Sequence, residues 1–126
     1  MKETILLFNF SDKKELQKLK MVLIPLKIRI KSIDKKDYLK PVGFLADVKE
    51  IEDNHLEYDK EELDNKMMIL SGLSGSRIDL VLTSLKRAGL PKINYKAVLT
   101  AENQYWSCIQ LYEELKSEHS LINGSK

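Results

Sequence analysis

Two short stretches of the chain set polar residues and a helix start directly behind an apolar run, an arrangement suited to holding an anion. Gly72-Leu73-Ser74-Gly75-Ser76-Arg77 follows Met67-Met68-Ile69-Leu70, and Thr100-Ala101-Glu102-Asn103 follows Ile93 to Leu99. A turn from strand into helix points backbone N–H groups and the positive end of the helix dipole outward, towards a phosphate or carboxylate. In the first stretch Gly72 and Gly75 allow close approach of the backbone, while Ser74, Ser76 and Arg77 add donors. In the second, Thr100 and Asn103 supply polar atoms and Trp106, the only tryptophan, overlooks the turn. The glycine loop is neither a P-loop, whose lysine it lacks, nor a dinucleotide fingerprint. Its alternative duty is a plain turn with a helix cap, and Thr100 has the same alternative as an N-cap.

Other chemistries have weaker support. One cysteine, Cys108, excludes an internal disulfide, and two histidines, His55 and His119, are too few to complete a zinc cluster with it. Helical spacing puts Cys108 on a buried arc, where cysteine acts as a small hydrophobe. His119, near a helix C-terminus, suits the helix dipole. Asp53, His55, Glu57 and Asp59 alternate, but the glycine and closing glutamate of an EF-hand loop are not in register. No metal and no cofactor are therefore expected. A small enzyme working in the same crevice is the alternative to a binding module.

The elements that must position these residues alternate along the chain. Thr4 to Phe10 is apolar without alternation and predicts a strand buried on both faces. Asp12 and Glu15 have capping-box spacing ahead of an amphipathic helix carrying Leu16, Leu19, Val22 and Leu23, which Pro25 ends. Leu26 to Lys31 alternates as an edge strand guarded by Lys27, Arg29 and Lys31. Residues 33–65 predict an irregular acidic crossover or insert, with a short helix after Pro41 and a solvated loop over residues 50–64. A third strand, Met67 to Leu70, leads to a helix from Arg77 to Ala88 capped by Ser76 and stopped by Gly89 and Pro91. Ile93 to Leu99 is the fourth strand. A last helix from Ala101 to about Glu118, capped by Thr100, buries Tyr105, Cys108, Ile109, Tyr112 and Leu115 and leaves Trp106 off that arc, and residues 120–126 read as a flexible tail.

This order predicts one α/β domain over residues 1–126, with a four-stranded sheet in the order β-α-β-(irregular insert)-β-α-β-α. The favoured architecture is a three-layer parallel or mixed sheet, because two strands ask for cover on both faces; the alternative is a ferredoxin-like βαββαβ sheet with an insert and an extra C-terminal helix. Both keep the third and fourth strands parallel, so the two helix starts share one sheet edge.

Charge is uneven. Residues 1–40 hold 11 Lys or Arg and 5 Asp or Glu, residues 41–65 hold 2 and 9, and residues 66–126 hold 8 and 5. Opposite blocks are expected to lie together. The basic elements carry no base-stacking aromatics, so nucleic acid is not an expected partner. The longest apolar run, Met21 to Leu26, is too short for a membrane span, and the first residues lack a signal-peptide pattern, which leaves a cytoplasmic address as the expectation.

Lys96-Ala97-Val98-Leu99-Thr100, with Asn103 and Trp106, resembles a family of small uncharacterised bacterial proteins carrying a domain-of-unknown-function label and found mainly in anaerobic Gram-positive bacteria. The likeness extends through Met67 to Gly72, Ile78 to Leu90 and Leu115 to His119, and more loosely to Ile5 to Phe10. The chain carries Ala101-Glu102 where that family often has proline and threonine. The resemblance implies relatives and no activity. The expectation for function is therefore a binding or protein-interaction module that recognises a small anionic ligand at two helix starts. Trp106 is expected to be covered by a homodimer partner, by residues 33–65 or by that ligand.

Overall fold

The computed structural model describes residues 2–124. Strands β1 (Thr4–Phe8), β2 (Arg29–Ile33), β3 (Met67–Ser71) and β4 (Tyr95–Val98) form one mixed sheet in the order β2-β1-β3-β4. The two runs without alternation are the inner strands, and every residue of β1 and β3 is buried. Helices α1 (Lys13–Leu23) and α3 (Gly75–Arg87) cover one face, closing Leu19, Leu23, Val81 and Leu85 over Ile5, Leu7, Met68 and Leu70. The short α2 (Val42–Leu45) and the long α4 (Cys108–Gly124) cover the other, closing Val42, Leu45, Cys108, Leu111 and Tyr112 over Leu6, Phe8, Met67 and Ile69. The architecture is the three-layer mixed sheet. In a ferredoxin-like sheet each crossover skips a strand and neighbouring strands run antiparallel. Here each crossover lands beside the strand it left, so β1 is parallel to β2 and β3 to β4, while β1 and β3 run antiparallel.

The sheet is thus two βαβ units placed head to tail about Leu6 and Ile69, which face each other at the centre. Their joints correspond. Asn9 (φ 65°) and Gly72 (φ 80°) each follow an inner strand in the left-handed region. Asp12 and Ser74 cap the helices through their side chains. Lys27 (φ 62°) and Gly89 (φ 80°) take the left-handed position that ends the helical segment, where Ile28 N donates to Leu23 O and Leu90 N to Leu85 O. Beyond that point they diverge: β2 begins at Arg29, two positions after Lys27, whereas β4 begins at Tyr95, six after Gly89. The second unit has four extra residues, Pro91 to Asn94.

Residues 50–64 form the expected largely exposed loop, without helix or strand, and the connection is anchored at a few points. Tyr38 is buried and its hydroxyl donates to Glu62 Oε1 (2.6 Å), while Ile51 and Leu63 are buried too. The acidic block does meet the basic one: Asp47 binds Arg29 (2.6 Å) and Lys31 (3.7 Å), and Asp53 binds Lys40 (2.7 Å). Helix α4 continues to Gly124, into the segment expected to be a tail; residues 125 and 126 lie outside the described residues.

Candidate functional site

Because β3 and β4 are parallel, Gly72 and Leu99 leave the sheet at the same end, as the sequence implies. The side chains there are spent within the chain. Helix α3 starts at Gly75, two residues before the predicted start, because the cap is Ser74 and not Ser76: Ser74 Oγ accepts from Arg77 N (3.3 Å) and lies 3.2 Å from Ser76 Oγ. Arg77 turns away from the loop. Its Nε donates to Glu3 Oε2 (2.9 Å), and its Nη2 donates to Glu3 Oε1 (2.7 Å) and Leu26 O (2.7 Å), so it ties the second βαβ unit to the first. The hydrogen bonds and charge of Arg77 hold the Glu3 carboxyl below its ordinary pKa.

At the second helix start, Thr100 Oγ1 accepts from Asn103 N (3.0 Å) and Asn103 Oδ1 accepts from Thr100 N (2.8 Å), while Asn103 Nδ2 donates to Val98 O (3.0 Å). Asn103 is buried. Thr100 therefore closes a short 3-10 turn over Asn103–Tyr105 and does not cap the last helix. Trp106 is extended (φ −77°, ψ 150°), and Ser107 Oγ accepts from Gln110 N (3.0 Å) at the start of α4. The break resets the helical phase. Tyr105, expected in the core, is 64% exposed, and Trp106, expected outside it, is half-buried against the α4-side core. The break is held by the inter-unit connection: Pro41 bridges Ser107 and Val42 N donates to Trp106 O (2.9 Å).

Open space lies instead on both flanks of the outer strand β4. On the α3 flank is a groove of about 460 Å³ floored by Leu82, Leu85, Leu90, Pro91 and Ile93 and rimmed by Lys86, Lys92 and Lys96. Its volume is in the range of ligand sites. The extra residues Pro91, Lys92 and Ile93 form one wall of it. Lys96 Nζ donates to Ile93 O (2.6 Å), and partial burial together with the charge of Lys92 lowers its pKa. Among the described residues, no carboxylate lies within ion-pair distance of these three lysines. On the α4 flank is a smaller cavity of about 330 Å³, where Trp106, Leu111 and Leu115 meet Glu102, Glu114 and Glu118; Lys96, shared with the groove, also borders it, leaving three carboxylates to one lysine. Thr100, Asn103 and Trp106 line it, but the glycine loop does not.

Residues 66–122 match the model of a family described as Domain of unknown function (DUF3783). The matched segment runs from β3 through α3 and β4 into α4, and so includes both flanks of β4. No curated protein and no solved structure matches the chain.

The lysine-rimmed groove was missed by sequence reasoning, although the sequence carries a signal for it. From Leu80 to Ala101 there is no Asp or Glu, while Lys86, Arg87, Lys92 and Lys96 fall in that stretch. The groups with the largest pKa shifts are in the core, not at either flank: burial pushes the Cys108 thiol far up, and burial with the Glu62 bond pushes the Tyr38 hydroxyl up. Asp53 is engaged by Lys40, with His55 Nδ1 3.6 Å away, and among the described residues no group of three His, Cys, Asp or Glu could hold a metal ion. No described helix is long and apolar enough to cross a membrane.

Proposed function

We propose that this domain is a binding module that takes an anionic group carried on an apolar body, seated in the groove between α3 and β4. The observation that carries the reading is the trio of lysines, which form no ion pair among the described residues, around an apolar floor. Grouping like charges beside a desolvating surface disfavours the charged state of Lys96, and a bound anion would relieve that cost. The site keeps the expected ligand chemistry and moves it from the helix starts to the flank of β4. Trp106, expected to be covered by a homodimer partner, by residues 33–65 or by a ligand, is partly covered by its own core.

Sub-micellar decanoate tests the reading. It should raise the melting temperature by mass action, while decyltrimethylammonium at the same concentration should not, and Lys86→Gln combined with Lys92→Gln should cut the rise. Equal shifts from the anion and the cation, or no shift from either, would end the proposal.

A further inference from the structure

We infer that β4 is a docking edge for an extended segment of a partner protein, one whose side chains alternate between acidic or apolar on one face and basic on the other. The inference rests on the groove reading and names the source of the anionic, apolar group. Strand β4 is an outer strand of the sheet and, among the described residues, pairs only with β3. Leu99 N donates to Leu70 O, so alternation along the strand turns the N–H groups of Lys96 and Val98 outward. Val98 is 42% exposed. Beyond it Asn103 occupies the Val98 carbonyl and closes the edge, which limits docking to a short strand.

A strand added here would send alternate side chains to opposite flanks. Those on the α3 flank meet the groove with Lys86, Lys92 and Lys96, and those on the α4 flank meet Trp106, Glu114 and Glu118. The flanks differ in sign, so charge complementarity selects acidic or apolar residues on the first and basic residues on the second. A basic side chain on the α4 flank would also lie beside the Trp106 ring. A second copy of this chain fits poorly. Pairing β4 with β4 about a two-fold axis would bring Lys96 near its copy, and the other outer strand, β2, has Arg29 and Lys31 already engaged by Asp47 and Leu45 O.

The probe is a blocked heptapeptide, Leu-Lys-Glu-Arg-Leu-Lys-Glu, read by the fluorescence of Trp106, the only tryptophan. The expected result is a saturable emission change, weakened about tenfold when alternate peptide nitrogens are methylated, because the main-chain bonds are lost. A peptide of the same composition with acids and bases sharing a face should bind as weakly. Val98→Pro removes one outward N–H at an edge position where proline is tolerated; it should abolish peptide binding and keep the decanoate response. Equal affinity for the methylated or face-scrambled peptide would overturn strand addition. Decanoate binding without peptide binding would overturn this inference alone, while failure of both would remove the groove reading as well. A wild-type protein that sediments as a dimer and becomes monomeric as Val98→Pro would show a second copy on β4, also overturning the proposal.

Discussion

In the first βαβ unit the outer strand follows the left-handed Lys27 almost at once, and its cations are tied down by Asp47 and Leu45 O. In the second, Pro91 to Asn94 intervene after the left-handed Gly89, and among the described residues Lys86, Lys92 and Lys96 form no ion pair. The cores of the two units are alike: apolar inner strands, helices capped by Asp12 and Ser74, and buried leucines or valine facing the sheet. The difference lies in one connection. Four additional residues hold the chain off the end of α3, open a groove, and leave the β4 edge accessible. A duplicated fold can thus keep its stability in the shared core while one copy carries the working surface.

The strongest way to break this comparison is to delete residues 91–94, making the second unit match the first. The deletion should remove the decanoate response and, through the loss of the partly buried Ile93 from the margin of the α3-side core, cost about 1–2 kcal/mol in chemical denaturation. Circular dichroism should retain the sheet. A deleted protein that still responds to decanoate would place the site elsewhere.

Next in size is the pair of left-handed positions. Lys27→Gly should stabilise and Gly89→Ala should destabilise, each by about 1 kcal/mol, since only glycine enters this region without a Cβ penalty. A Cβ at Gly89 would have its nearest neighbour 3.9 Å away at Lys18 Nζ, so the loss would come from the backbone and not from a clash. Shifts of the same sign at both positions would mean that the two joints are not equivalent.

A smaller effect belongs to Arg77, the polar tie between the units. Glu3 has a lowered pKa in the folded protein, so its ion pair contributes above the ordinary value of 4.5 and is lost as pH falls through the lowered value. Arg77→Met should therefore melt below wild type at pH 7 and converge with it in acid. A gap that persists undiminished at pH 2 would show that packing and the bond to Leu26 O, and not the Glu3 pair, are what Arg77 supplies.

The smallest expected change is at Lys96. Its folded pKa is lowered, so wild type gains stability as pH rises from that value towards 10.5, where the unfolded lysine also loses its proton. Lys96→Met removes the penalty. It should melt slightly above wild type at pH 7, and the advantage should close by about pH 10.5. A variant less stable at neutral pH would mean that the bond to Ile93 O outweighs desolvation.

The residues themselves determined the inner strands, because Ile5 to Phe8 and Met67 to Leu70 have no polar face to show to water. They also determined where α1 and α3 lie, through amphipathic spacing and side-chain caps, and the parallel pairing of β3 with β4 follows from the intervening helix. The likeness of the two units is faint in sequence: about the Leu6 and Ile69 centre, Ile5-Leu6-Leu7-Phe8 matches Met68-Ile69-Leu70-Ser71 and only Leu7 and Leu70 are identical, since apolar bulk is most of what an inner strand requires. Only the tertiary structure could decide which strand each crossover joined, because β1 and β3 each have two edges and local sequence does not choose between them. The same holds for Trp106. An unbroken helix would set its angle, but Pro41 and Val42 interrupt that helix from far away in the chain, so its surroundings are set by that contact and not by its neighbours. Arg77 was legible as a donor beside a turn, but its acceptor, Glu3, lies 74 residues away. Distant pairing of this kind is a property of the packed chain, where a charge takes the partner the fold brings within reach.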